Sequence, residues 1–239
     1  MRRLALAILV AVLACGSRVP EREGMKYIPP GEFMMGSRGD DPKVYEWEAP
    51  HEQPQHPVYV KGFYIDVHEV TNVEYERHDP NHKRDVQYSP CDDCPVTQVD
   101  WDEAQAYCHA LGKRLPTEAE WEKAAKGGTD TDPTPLEDFA WFGKNSITRT
   151  QPVMQKKPNA YGLYDVLGNV REWTADWYGP EYYQERVRDN ATGPAQGTRR
   201  VERGGAFFLP ARSVTTTIRY NHPQGFHLYF LGCRCAADG

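Results

Sequence analysis

From residue 129 to the C-terminus, no segment of the chain carries a helical apolar period. Short aromatic or β-branched runs alternate there with Gly, Pro and Asn. A helical bundle or coiled coil needs a sustained 3.5–3.6-residue repeat, so both are excluded. The 20 Gly and 19 Pro follow no collagen period. Disorder is excluded too, because 14 Tyr, 8 Phe and 6 Trp carry large apolar surfaces that need a core. A chain of 239 residues is long enough to build one. The formal charge of −6 gives no attraction to nucleic acid or to an anionic membrane surface. What remains is a loop-rich α+β domain.

Two main helices precede residue 129. In the first, Trp101, Ala104, Tyr107, Cys108 and Leu111 share one face, Asp100 and Glu103 fit a capping box, and Gly112 fits a left-handed stop. In the second, Thr117 and Glu120 form another capping box, and the helix passes Trp121 and Ala125 before stopping at Gly127-Gly128. Strands are expected around Tyr27-Ile28, Val58–Val60 and Phe63–Val67. Residues 36–57, rich in charge, Pro and His, read as a surface excursion, and 76–95 as polar loop. No internal repeat divides the chain, so one domain is expected from residue 24 to 239.

The N-terminus opens Met1-Arg2-Arg3 and continues as eleven apolar residues, Leu4–Ala14. That is short of the roughly 20 residues needed to span a bilayer but fits a signal-peptide core. Val12-Leu13-Ala14-Cys15 resembles a bacterial lipobox. The expectation is a signal peptide over 1–14, lipidation at Cys15, a tether over 15–23 and an exported, cell-envelope lipoprotein. It would touch membrane through its lipid anchor only. An ordinary secretory signal is the alternative, since Leu13 is bulkier than the residue usual at that place. Export makes disulfides the default over zinc. Beyond Cys15 the cysteines are Cys91, Cys94, Cys108, Cys233 and Cys235, an odd number. The CxxC and CxC lack a histidine at zinc-finger spacing, and the CxxC precedes Pro95 instead of opening a helix, which disfavours a redox motif. His68, His78 and His82 cluster in sequence, yet Asp79-Pro80-Asn81 reads as solvated loop rather than as the frame of an iron site.

An ordered set of motifs runs through the whole domain. It begins with Ile28-Pro29-Pro30-Gly31-Glu32-Phe33-Met34-Met35-Gly36 and Glu69-Val70-Thr71-Asn72. Pro95–Trp101 and Gly112-Lys113-Arg114-Leu115-Pro116-Thr117-Glu118-Ala119-Glu120-Trp121-Glu122 follow. Then come Pro158–Asp165, Gly168-Asn169-Val170-Arg171-Glu172-Trp173 and Arg203-Gly204-Gly205. In this order they resemble the formylglycine-generating enzyme (sulfatase-modifying factor) family. Arg171 stands where that family usually has Trp, and Cys233 where a closing Gly-Phe-Arg has Phe. The resemblance implies a C-type-lectin-like single domain with two main helices, small sheets and many irregular loops.

The family's enzymes oxidise a sulfatase cysteine with two copper-binding cysteines placed shortly after Arg-Gly-Gly. An ungapped reading from Arg203 puts Leu209 and Val214 there, and no cysteine lies between Cys108 and Cys233. Thiolates are needed to ligate Cu(I) and to exchange with a substrate thiol, so neither copper nor formylglycine formation is expected. The resemblance further implies a structural Ca²⁺ held by the Asp165 and Glu172 side chains and the Gly168 and Val170 carbonyls, oxygen donors suited to a hard cation. A second calcium site would begin at Asn145 and Ser146. It also implies a Cys108–Cys235 disulfide. Cys91–Cys94 could then close a local loop, or Cys233 could compete with Cys235 for Cys108.

Two readings of function follow. One is a recognition module of the cell envelope, with unknown protein or glycan partners and a surface lined by Phe207, Arg212, Arg219 and His222, flanked by Phe208, Tyr220 and His227. The other is a metal-dependent oxidative enzyme of the non-haem iron type on the same scaffold. The stretch after Arg203 could also serve as a sequence-variable display surface, as in some lectin-like proteins.

Overall fold

The computed structural model describes residues 20–39, 49–146 and 148–239. The expected signal peptide, Cys15 and the first part of the tether lie outside the described residues. Chain entry and exit share one sheet. In it β1 (Met25–Ile28) and β9 (Ala236–Asp238) both pair antiparallel with β4 (Phe63–Asp66). β2 (Gly31–Met35) and β3 (His56–Val60) form a separate antiparallel pair. The third sheet has the order β7 (Tyr220–His222), β6 (Arg200–Arg203), β5 (Arg171–Trp177), β8 (Leu231–Gly232), and only β5 and β8 run parallel.

A single turn, α1 (Ala49–Glu52), precedes three longer helices: α2 (Asn72–His78), α3 (Trp101–Ala110) and α4 (Glu118–Lys126). The last two match the expected pair, each with the capping box read from sequence, and Gly127 closes α4 at φ 61°. The third, α2, adds a helix to the expected two. It starts with its own capping box, Thr71–Glu74, inside the Glu69–Asn72 motif, but with seven residues it is too short to show an apolar period. Residues 36–57 are less external than charge alone implied. Glu52 and His56 are buried, and the Gly36 amide donates to Glu122 Oε1 at 2.7 Å.

Every residue of α4 is buried. Trp121 and Ala124 join Ile28, Val58, Phe63, Phe142 and Leu163 in the larger hydrophobic core. The helix's charged side chains are largely withdrawn from water and are paired within the protein. Glu118 meets Arg219 at 2.7 Å, Lys126 meets Glu122 at 3.0 Å, and Arg203 bonds Glu122. Lys123 donates to the Pro29 and Gly31 carbonyls, both at 2.8 Å. This explains the density of the Gly112–Glu122 motif: nearly each polar residue has a fixed partner. A second core gathers Val70, Tyr75, Tyr107, Trp173 and Leu231 around Cys108–Cys235. That bond is the one the resemblance implied, and Cys91 pairs with Cys94. Cys233 is a free, buried thiol that burial pushes up in pKa, so it stays protonated.

Candidate functional site

The loop Asp165–Val170 contributes Val166 and Leu167 to the larger core. Gly168 has φ 79°, and a Cβ there would sit 2.1 Å from the Trp141 carbonyl, so only glycine fits. Asp165 is buried; its Oδ2 accepts the Met154 amide at 2.7 Å, while Oδ1 is buried with no hydrogen-bond partner. Glu172 accepts Trp121 Nε1 and Arg234 Nε on Oε2, and Arg234 Nη2 on Oε1, each at 2.7 Å. A carboxylate oxygen takes more than one partner, so Oε1 retains capacity beside the guanidinium.

A third acid, Glu69, was not singled out from the sequence. It is fully buried, accepts the Val170 amide on Oε1 at 3.0 Å and Asn169 Nδ2 on Oε2 at 2.7 Å, and so fixes the loop from below. Desolvation first, then the charges of Asp165 and Glu172, push its pKa well up. Its signal was present in the Glu69-Val70-Thr71-Asn72 motif. The cluster of three buried carboxylates against Arg234 is acidic, and the unpartnered Asp165 Oδ1 suits an oxygen-seeking cation.

At the expected start of a second calcium site, the Asn145 and Ser146 side chains bond neighbouring backbone. Asn145 Oδ1 accepts the Phe142 amide at 2.9 Å, its Nδ2 donates to the Ala140 carbonyl at 3.0 Å, and the Ser146 hydroxyl donates to the Arg149 carbonyl at 2.8 Å. These are turn-closing bonds. His68, His78 and His82 do not converge. Nδ1 of His68 contacts the Glu69 carbonyl, whereas the His78 ring packs edge-on to Tyr107. Among the described residues, the one group of three His, Cys, Asp or Glu donors within 4.8 Å of one another is Asp100, Glu103 and His227.

After β6 the chain turns at Gly204 and Gly205, both with positive φ, where a Cβ on Gly205 would meet the Ser213 carbonyl at 2.9 Å. The turn lets Arg203 reach back. Its guanidinium donates to the Thr216, Thr217 and Ile218 carbonyls, pinning the returning loop against α4. Val214 lies inside the larger core, and Leu209 packs against it.

Two residues expected on the binding surface are interior. Phe207 is 1% exposed, and Arg219 is buried against Glu118. The reason is α4: a buried helix bearing carboxylates needs arginines from this segment to neutralise it. Arg212 is exposed, and His222 is partly exposed. His222 Nδ1 lies 2.5 Å from Oε1 of buried Glu202, whose Oε2 accepts Arg171 Nη1 at 3.3 Å. The Arg171 guanidinium stacks 3.5 Å from the Tyr220 ring. Where the family usually has Trp, Arg171 therefore sets a cation over an aromatic ring. Beside it, half-buried Tyr88 and Tyr229 stack at 4.3 Å, and Phe208 meets Phe230 edge-on at 5.3 Å. Phe226, 47% exposed, continues this aromatic face next to His222.

Comparison with known proteins agrees with this geometry. The chain is 33% identical to the serine/threonine-protein kinase pkn1 of Chlamydia caviae over 239 residues, covering 89% of this chain but 37% of that protein. It thus spans well under half the length of that relative. It is 30% identical to the formylglycine-generating enzyme of Bos taurus, covering 93% of this chain and 77% of that enzyme. Among solved structures, Treponema denticola variable protein 1 superposes with a TM-score of 0.79 at 29% identity, covering 90% of this chain and 95% of that one. The sulfatase-modifying factor enzyme 1-like domain matches residues 15–239, and the chain belongs to that family.

Proposed function

We propose that this domain is an exported, lipid-anchored recognition module that does not generate formylglycine. The observation that carries this reading is the absence of any cysteine between Arg203-Gly204-Gly205 and Cys233. The family's oxidation needs two cysteines there, and the ungapped reading offers a core valine and a leucine packed on it. The module's contact surface is the aromatic face of Phe208, Phe226, Tyr229 and Phe230, with His222 oriented by Glu202 at its edge. Aromatic rings and an anchored imidazole are groups that hold ligands with little conformational cost. The partner is an envelope protein or glycan. The apolar run Leu4–Ala14 ending at Cys15 supports the export and the anchor.

Co-expression with a sulfatase followed by mass spectrometry of the target cysteine tests the first half. The cysteine is expected to remain unmodified, and formylglycine above background would overturn the reading. For the second half, Phe208→Ala and Tyr229→Ala are expected to abolish crosslinking to the envelope partner without lowering the melting temperature to the assay temperature. Unchanged crosslinking in both variants overturns the placement. Iron or copper copurifying with the chain would favour the oxidative reading instead.

We also infer a structural Ca²⁺ at Asp165, with the Gly168 and Val170 carbonyls and Glu172 completing its oxygen shell. The buried, unpartnered Asp165 Oδ1 supports it. EDTA is expected to lower the melting temperature, with recovery on adding CaCl2. An unchanged melting curve together with no calcium by elemental analysis removes the ion.

A further inference from the structure

We propose that Asp100, Glu103 and His227, with His82 as fourth donor, form a site for a divalent transition-metal ion of the zinc class. Nε2 of His227 lies 3.0 Å from Glu103 Oε2 and 4.0 Å from Asp100 Oδ2, so one ion can draw all three together with small side-chain movements. An imidazole among carboxylates selects zinc-like ions over calcium, which prefers an all-oxygen shell. The two acids are also prealigned. Glu103 and Asp100 hold each other in the capping box of α3, through Asp100 Oδ1 and Glu103 Oε2, and this leaves Asp100 Oδ2 turned towards the histidine. Two full negative charges outweigh the half positive charge, about +0.5, of a helix N-terminus.

An independent observation comes from His82. It lines the same hollow of about 450 Å³ as Glu103 and His227, alongside Asp79 and Asp85. Its Nε2 is buried without any hydrogen-bond partner, an arrangement that is costly unless a donor or a metal satisfies the nitrogen. A rotation of the ring that turned Nε2 into this hollow would offer the ion a second imidazole ligand.

The ion would act as a clasp. His227 belongs to the turn that presents Phe226, Tyr229 and Phe230, and this turn already docks on the start of α3. The Trp101 amide donates to the Gln224 carbonyl at 2.9 Å, and the Gln98 amide to the Leu228 carbonyl at 3.1 Å. Metal binding would fix the aromatic face without touching the calcium loop. The inference does not depend on what that face recognises.

The test is calorimetric titration of the mature chain with ZnCl2 in calcium-containing buffer, together with its melting temperature. One zinc per chain and a rise in melting temperature are expected. His227→Ala, His82→Ala and Glu103→Gln, the last of which keeps the capping box, should each weaken binding by about tenfold or more. His109→Ala, an exposed histidine on the same helix, should leave it unchanged. No saturable zinc binding overturns the proposal, as does affinity retained in His227→Ala or His82→Ala, or a loss in His109→Ala equal to theirs.

Discussion

Helices α3 and α4 are nearly equal in length and begin with the same capping device, yet they are held in place by different physics. α3 turns Asp102, Glu103, Ala106, His109 and Ala110 to solvent and keeps Ala104, Tyr107 and Cys108 inside. Its anchor is covalent, through Cys108–Cys235. α4 has no solvent face, and its charges are neutralised by Arg203 and Arg219 from distant parts of the chain and by nearby Arg114. Polar periodicity therefore marks a surface on one helix and an internal ion lattice on the other. Buried ion pairs stabilise little in net terms, because desolvation offsets the attraction, but breaking one strands a charge.

The contrast can be broken first at the disulfide. Cys108→Ser removes a link between residues 127 apart. Chain-entropy arithmetic puts the loss at about 4–5 kcal/mol, read from urea unfolding with and without reductant. A loss below about 1 kcal/mol would mean that packing, not the bond, holds α3. On α4, Glu122→Gln leaves Arg203 and Lys126 without their shared carboxylate. The expected cost is about 3–5 kcal/mol, and a near-neutral result would show that water reaches the helix.

The pH dependence of the same lattice sharpens the comparison. Burial opposes the Glu118 charge, but Arg219 and Arg203 prevail and hold its pKa below the ordinary range. Its contribution is thus complete at neutral pH and is lost as pH falls through that depressed value. The melting-temperature gap between the parent and Glu118→Gln should be widest near neutrality. It should close below the ordinary glutamate value of about 4.3, and a gap that persists in acid contradicts the assignment. The smallest effects belong to the caps. Thr117→Ala and Asp100→Ala should each cost about 1 kcal/mol, with Asp100 at the lower end because its box is more exposed. Equal or inverted losses would show that α3 depends on its start more than its disulfide implies.

Much of the frame was legible in the sequence because its signals are local. The capping boxes of α3 and α4, the left-handed Gly127 and the strands over 58–60 and 63–66 are each set by residues within a few positions of one another. The Cys108–Cys235 pairing came only through the resemblance, since spacing alone left Cys233 in competition. Illegible were features that depend on which distant segment meets which. Arg219 reads as a ligand-binding arginine until α4 proves to be buried beside it, and Phe207 reads as surface until the Asn169 carbonyl receives its amide at 2.9 Å. Glu69 stood in plain view within a motif, but its role depends on a loop about a hundred residues later. The local role of Asn145 and Ser146 was equally hidden: their side chains close turns with neighbouring backbone.

The three-stranded sheet at the chain's entry and exit has a mechanical consequence. β1 and β9 flank β4 and run parallel to each other, with Met25 opposite Asp66 and Asp238 opposite Phe63. Tension applied between the N- and C-terminal ends would pull the two outer strands past β4 in opposite directions. Their ladders would then be loaded in shear, all bonds at once, instead of being peeled open one by one. Once β9 was drawn out, the load would reach Cys235 and pass through its disulfide into α3. Under tension between Met25 and Asp238 the domain would therefore keep its shape until the sheet sheared as a unit.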